Sequence, residues 1–193
     1  MLCEMAPKVQ DMQRKVRKMT DINEKYRNDP ELDEPRIKPR TAIVPGSFDP
    51  VTLGHLDIIR RAAREYDEVY AVIFVNPKKT YTFSLSDRVR MLMLATDDID
   101  NCLVSYSSGL VIDYMRDHGI ETIVKGYRND ADYKYECEMA EWNKKMGGYD
   151  TVLLPASEAL TEVSSTKVRE LIRSGGDLTG LLPEAVIEAI RSL

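Results

Sequence analysis

The chain of 193 residues is 43% hydrophobic and 31% charged. That balance excludes collagen-like, low-complexity and intrinsically disordered polypeptides, and it suffices for one domain with a full core plus a modest appendage. A net charge of −5 excludes a global pull toward nucleic acid, so an anionic ligand has to be met by a local group of cations.

No apolar run approaches the roughly 18–20 residues of a membrane span, and the N-terminus is too charged for a secretory signal. Cys3, Cys102 and Cys137 have neither the even number nor the spacing of a disulfide framework or metal knot, so free thiols and a cytoplasmic location are expected. Residues 1–40 read as a charged extension, partly helical or flexible, and residues 41–193 as the domain. In the extension, Val9, Met12, Val16 and Met19 share one face of a helix predicted within Met5–Tyr26, before the proline-punctuated NDPELDEPRIKPR.

From Thr41 the pattern alternates. Strands are predicted at 41–45, 68–75, 102–106, 121–125 and 150–154, and helices at 54–66, 84–97, 109–118, 130–146, 164–173 and 183–192. This alternation argues for an α/β fold, a Rossmann-like five-stranded parallel sheet with helices on both faces. Right-handed crossovers then gather the loops at the carboxyl ends of the strands on one edge. The pattern leaves the order of the strands open.

The polar groups on that edge are informative. After the first strand, TAIVPGSFDPVTLGH supplies Gly46, Ser47, Asp49, Thr52 and His55. A strand, a glycine loop and a helix start can hold phosphate, because N-terminal N–H groups and the helix dipole favour anions. The loop is neither GxxxxGK[ST] nor GxGxxG, which excludes a P-loop and a dinucleotide fingerprint. Later strand ends add Asn76, Lys78 and Lys79, then Ser107, Ser108 and Gly109, then Lys125, Gly126 and Arg128. Ser164, Ser165 and Thr166 stand where a helix begins. Hydroxyl and N–H cradles, an imidazole and several cations suit a polyphosphate, with charge stabilisation as the main catalytic resource.

Plainer readings exist for each group. His55 and the Ser164–Thr166 run read also as helix caps, Lys78 and Lys79 as a solvated turn, and Glu136 and Glu138 as an exposed face. Serine-hydrolase chemistry lacks its GxSxG elbow. With His55 and His118 the only histidines, a histidine-rich metal site is excluded.

PGSFDPVTLGHLDII is similar to the signature of the nucleotidyltransferase superfamily, a GxFxPxxxGH loop after the first strand. Within it, the chain most resembles the phosphopantetheine adenylyltransferases. The likeness is carried further by NPKK at 76–79, TFSLSDRV at 82–89, SSGLVIDYMR at 107–116, KGYRNDADYKYE at 125–136 and SSTKVREL at 164–171. It runs from about residue 41 to the C-terminus.

The resemblance implies transfer of the adenylyl group of ATP to 4′-phosphopantetheine by direct in-line displacement, giving dephospho-coenzyme A and pyrophosphate. It implies Mg²⁺ accompanying ATP, no metal site on the chain, and a hexamer. Residue by residue, it implies that Ser47 contacts the transferring phosphate, His55 stabilises charge on the α-phosphate and Lys79 binds the attacking phosphate. Phe48, Gly126, Tyr127, Arg128 and Glu136 would line the ATP site, with the N–H groups of Ser164, Ser165 and Thr166 and the Arg128 side chain on the β- and γ-phosphates. Val111 and Lys125 would join Ser47 and Lys79 on the phosphopantetheine side.

Two positions depart from the family: Lys125 stands for an arginine and Tyr127 for a leucine. Lysine keeps the charge but loses the planar fork. The Ser-Ser-Thr run is also similar to the ISSTxIR of nicotinamide-nucleotide adenylyltransferases, which makes nicotinamide mononucleotide the alternative acceptor. Thr52, in TxGH rather than HxGH, and NPKK favour phosphopantetheine.

Overall fold

The computed structural model describes residues 38–193, and the helix expected within Met5–Tyr26 lies outside them. In chain order the elements are β1 (Thr41–Gly46), α1 (Leu53–Glu65), β2 (Glu68–Phe74), α2 (Leu85–Ala95), β3 (Cys102–Ser107), α3 (Val111–His118), β4 (Thr122–Tyr127), α4 (Asp130–Gly147), β5 (Asp150–Pro155), α5 (Ser165–Ser174) and α6 (Glu184–Arg191). The alternation expected from the sequence is present, with ends shifted by a residue or two. A short 3₁₀ turn at Glu158–Leu160, too brief to carry a period, is additional.

The strands are all parallel, in the order β3-β2-β1-β4-β5. Successive side chains of a strand point to opposite faces, and the core divides accordingly. Ala42 and Val44 pack with Ile58 and Ile59 of α1, Met91 and Leu92 of α2, Val168 of α5 and Val186 of α6. Ile43, Val72 and Ile123 turn to the other face, against Tyr114 and Met115 of α3.

β1 is paired unequally on its two sides. It pairs with β2 along its length, from Thr41↔Glu68 to Gly46↔Ile73, but with β4 only at Ala42↔Thr122 and Ile43↔Ile123. β4 stays paired with β5 as far as Tyr127↔Pro155. The sheet therefore opens between β1 and β4 toward its carboxyl edge, where the strand order reverses. Open α/β sheets take ligands in that crevice.

α1 packs against both strands beside the opening. Its Ile58 lies so close to β4 that a Cβ on Gly126 would fall 2.7 Å from Ile58 Cγ1. Gly126 is thus a packing requirement whatever else it lines. Gly126→Ala should push Ile58 aside and lower the unfolding free energy by about 1–3 kcal/mol, measured by urea denaturation. Unchanged stability would mean that β4 has room for a side chain there.

Candidate active site

The loop from Gly46 to Thr52 forms the β1 side of the crevice. Phe48 has a φ of 45°, a left-handed backbone that a bulky residue adopts only at a cost of about 1–3 kcal/mol. The residue as a whole is 1% exposed, and the ring packs inward. It lies over Gly46, where a Cβ would meet the ring carbons at 3.0 Å, and meets the His55 ring edge-on at 5.1 Å. Phe48 therefore faces the core with its side chain, and it can line a nucleotide site only through its backbone.

Three carbonyl groups of this loop are held from outside. Arg88 Nη1 donates to Ser47 O at 2.9 Å, Arg169 Nη1 to Asp49 O at 2.7 Å and Ser165 Oγ to Pro50 O at 2.8 Å. The buried Asp49 carboxylate accepts from the N–H groups of Thr82 and Phe83, each at 2.9 Å, and Arg169 lies 4.0 Å from it. With carbonyls and carboxylate engaged inward, the N–H groups and the exposed Ser47 hydroxyl are what the loop can present to an anion.

α1 begins with a capping box in which histidine takes the place usual for Glu or Gln. Thr52 Oγ1 accepts from the His55 N–H at 3.3 Å, and the Thr52 N–H donates to His55 Nδ1 at 3.1 Å. A backbone N–H can only donate, so Nδ1 carries a lone pair and the neutral ring bears its proton on Nε2. Burial, and after it the charges of Lys125 and Arg128, lower the His55 pKa from 6.5 to about 4. The helix-cap reading of His55 is therefore correct as geometry, and the cap itself prepares a neutral ring with an Nε2–H donor. Thr52 is buried, with its N–H and hydroxyl both turned to His55.

Across the opening, Lys125 Nζ lies 3.3 Å from Glu136 Oε1. Glu136 is therefore not the exposed residue its helical position suggests: its side chain is only 13% exposed. Arg128 is drawn to Asp132, with Nε at 2.8 Å and Nη2 at 3.4 Å, and the ring of Tyr127 leans on Tyr133 at 4.9 Å. The hydroxyls of the Ser-Ser-Thr run are all engaged within the protein. Ser164 Oγ caps α5 by accepting from the Lys167 N–H, Ser165 Oγ holds Pro50 O, and Thr166 Oγ1 accepts from Arg169. Its backbone N–H groups at the helix start are the part suited to phosphate.

Lys79 stands one strand over from Ser47, exposed on the turn after β2, where its N–H donates to Asn76 O at 3.0 Å. Val111 opens α3 after β3, two strands from β1, so the expected residues extend along most of the sheet edge.

The groups that converge on the opening are donors and cations, an arrangement that stabilises developing negative charge. A cysteine nucleophile is disfavoured at Cys102, whose pKa burial pushes up to about 11. Arg88 and Arg169 carry no functional motif of their own in the sequence. Their signal is position: Arg88 falls in the stripe of Met91, Leu92 and Ala95, the buried residues of α2, where a solvated charge does not belong.

A family model described as cytidylyltransferase-like matches residues 43–171. The chain is 44% identical over 151 residues to a phosphopantetheine adenylyltransferase of Corynebacterium efficiens, covering 78% of this chain and 95% of that protein. It is likewise 44% identical over 150 residues to phosphopantetheine adenylyltransferases of two strains of Corynebacterium glutamicum, covering 77% and 94%.

With only two histidines in the chain, the state of His55 can be read by NMR titration, using His118→Gln for assignment. The His55 midpoint should lie near 4 rather than 6.5, and Lys125→Gln should raise it. An unfolded histidine takes up its proton first. The His55 contribution to stability is therefore complete above pH 6.5 and lost as pH falls toward 4. A midpoint at or above 6.5 would contradict the neutral ring.

Proposed function

We propose that this chain, which belongs to the cytidylyltransferase-like family, is an enzyme that transfers the adenylyl group of ATP to 4′-phosphopantetheine. Dephospho-coenzyme A and pyrophosphate are the products, and the step belongs to coenzyme A biosynthesis. The observation that carries the reading is the neutral His55 donor, set between the Ser47 loop and the cations Lys125 and Arg128. The relatives at 44% identity are phosphopantetheine adenylyltransferases, which supports phosphopantetheine as the acceptor.

In this mechanism a phosphate oxygen of phosphopantetheine attacks the α-phosphorus of ATP. The bond from that phosphorus to the bridging oxygen breaks, and pyrophosphate leaves with its electrons. No atom of the chain bonds to phosphorus. His55 Nε2–H and Ser47 donate to the α-phosphate as its charge grows, which lowers the barrier without a proton transfer. Lys79 holds the attacking phosphate in line, and Lys125 adds charge on the acceptor side. Arg128 and the N–H groups of Ser164, Ser165 and Thr166 take the β- and γ-phosphates. The Phe48 backbone, Gly126, Tyr127 and Glu136 border the nucleotide, and Val111 borders the pantetheine arm.

The N–H donors and cations of the site offer Mg²⁺ no oxygen ligands, so the ion would enter as a companion of ATP, on phosphate oxygens and water, and would screen phosphate charge. Among the described residues no three His, Cys, Asp or Glu side chains converge on a metal position, and Asp49 is engaged by backbone N–H groups.

A cytoplasmic homo-oligomer, a hexamer in our reading, completes the proposal. None of the eighteen residues of α4 is buried, and Tyr135 and Met146 are 60% and 58% exposed, which supports self-association. Cys102 and Cys137 are free thiols, and among the described residues no helix is long and apolar enough to cross a membrane.

Pyrophosphate release from ATP, with 4′-phosphopantetheine and nicotinamide mononucleotide offered separately, tests the assignment. Release with the first acceptor alone is expected, and release with the second alone would overturn it. His55→Ala should lower kcat by about 10²–10³-fold while ATP affinity changes by no more than about twofold. An equal loss of ATP binding would make His55 a ground-state contact instead.

A further inference from the structure

We propose that Arg88 and Tyr81 are positioning residues that lock the turn carrying Lys79 to the loop carrying Ser47. The inference rests on the adenylyl-transfer reading for what those two loops hold. Arg88 is 2% exposed, and among the described residues it has no carboxylate within 4.0 Å. Its Nη1 donates to Ser47 O at 2.9 Å, its guanidinium lies 4.0 Å from the centre of the Tyr81 ring, and its buried Nε has no hydrogen-bond partner.

Tyr81 continues the connection. Its hydroxyl accepts from the Asn76 N–H at 2.7 Å. Asn76 in turn organises the lysine turn, with its Oδ1 accepting from the Lys78 N–H at 2.9 Å and its carbonyl from the Lys79 N–H at 3.0 Å. A continuous path thus runs from Ser47 through Arg88, Tyr81 and Asn76 to Lys79. Asp49 pins the neighbouring Thr82 and Phe83 to the same loop, so the segment is anchored twice.

A buried cation whose partners are one carbonyl and one ring is costly, and an apolar side chain in the stripe of Met91, Leu92 and Ala95 would cost the fold less. What Arg88 supplies is geometry. In-line displacement needs the attacking phosphate and the α-phosphate in fixed register, and a misplacement of about 1 Å costs on the order of 10²-fold in rate.

The test uses the full chain. Tyr81→Phe removes the hydroxyl and keeps the ring under Arg88. It should raise the KM for 4′-phosphopantetheine about fivefold to tenfold, leave the KM for ATP within about twofold, and speed amide hydrogen exchange at Asn76. Arg88→Met should fold with an unchanged or higher Tm and lose about 10²-fold in kcat. The double variant should lose less than the product of the single losses, because the two residues act as one unit.

An unchanged acceptor KM and unchanged Asn76 exchange in Tyr81→Phe would overturn the proposal. So would losses in the double variant that simply multiply. Should Arg88→Met not fold, Tyr81→Phe decides. If the unmodified chain forms no product from ATP and phosphopantetheine, it is the proposed function that fails. Asn76 exchange in Tyr81→Phe then judges the lock by itself, with unchanged protection counting against it.

Discussion

A loop that offers N–H groups to a phosphate must have its carbonyl oxygens engaged elsewhere, or their negative ends compete for the same space. Here the engagement comes from side chains on helices that are themselves part of the core: Arg88 on α2, and Ser165 and Arg169 on α5. Core packing and loop conformation are one constraint as a result. The left-handed backbone of Phe48 persists because its ring is built into that core over Gly46. The strain is held by surrounding structure, as expected where geometry serves function.

The capping box of α1 joins folding to chemistry in the same way. The contact that satisfies the helix N-terminus also fixes the His55 tautomer, since a backbone N–H leaves Nδ1 no choice but to accept. Burial and the facing cations then keep the ring uncharged. Lys125 and Arg128 have two consequences from one placement: they disfavour imidazolium, and in the proposed mechanism they offer countercharge to phosphates. The early divergence of β1 from β4 makes room for both.

Much of this was legible in the sequence, for identifiable reasons. Alternating strand and helix periods marked the sheet, and Ser47, Thr52 and His55 stood out because a glycine loop before a helix start has a recognisable pattern. Strand order was not legible, since strands buried on both faces carry no mark of their neighbours, although that order creates the crevice. The direction of the Phe48 ring was hidden as well, because a positive φ leaves no trace in a non-glycine residue. Glu136 looked exposed on its helix and is covered through its pairing with Lys125. Arg88 carries no motif of its own, and only its register with Met91, Leu92 and Ala95 betrays its burial.

In the proposed mechanism the chain supplies donors and cations and never a bond to phosphorus. The stereochemical course at the α-phosphorus tests this most directly, using a single diastereomer of ATP with sulfur in place of one α-oxygen and 4′-phosphopantetheine as acceptor. One in-line displacement inverts that centre, and inversion is the result predicted. Retention would require two successive displacements through an adenylylated enzyme, and it would contradict the mechanism.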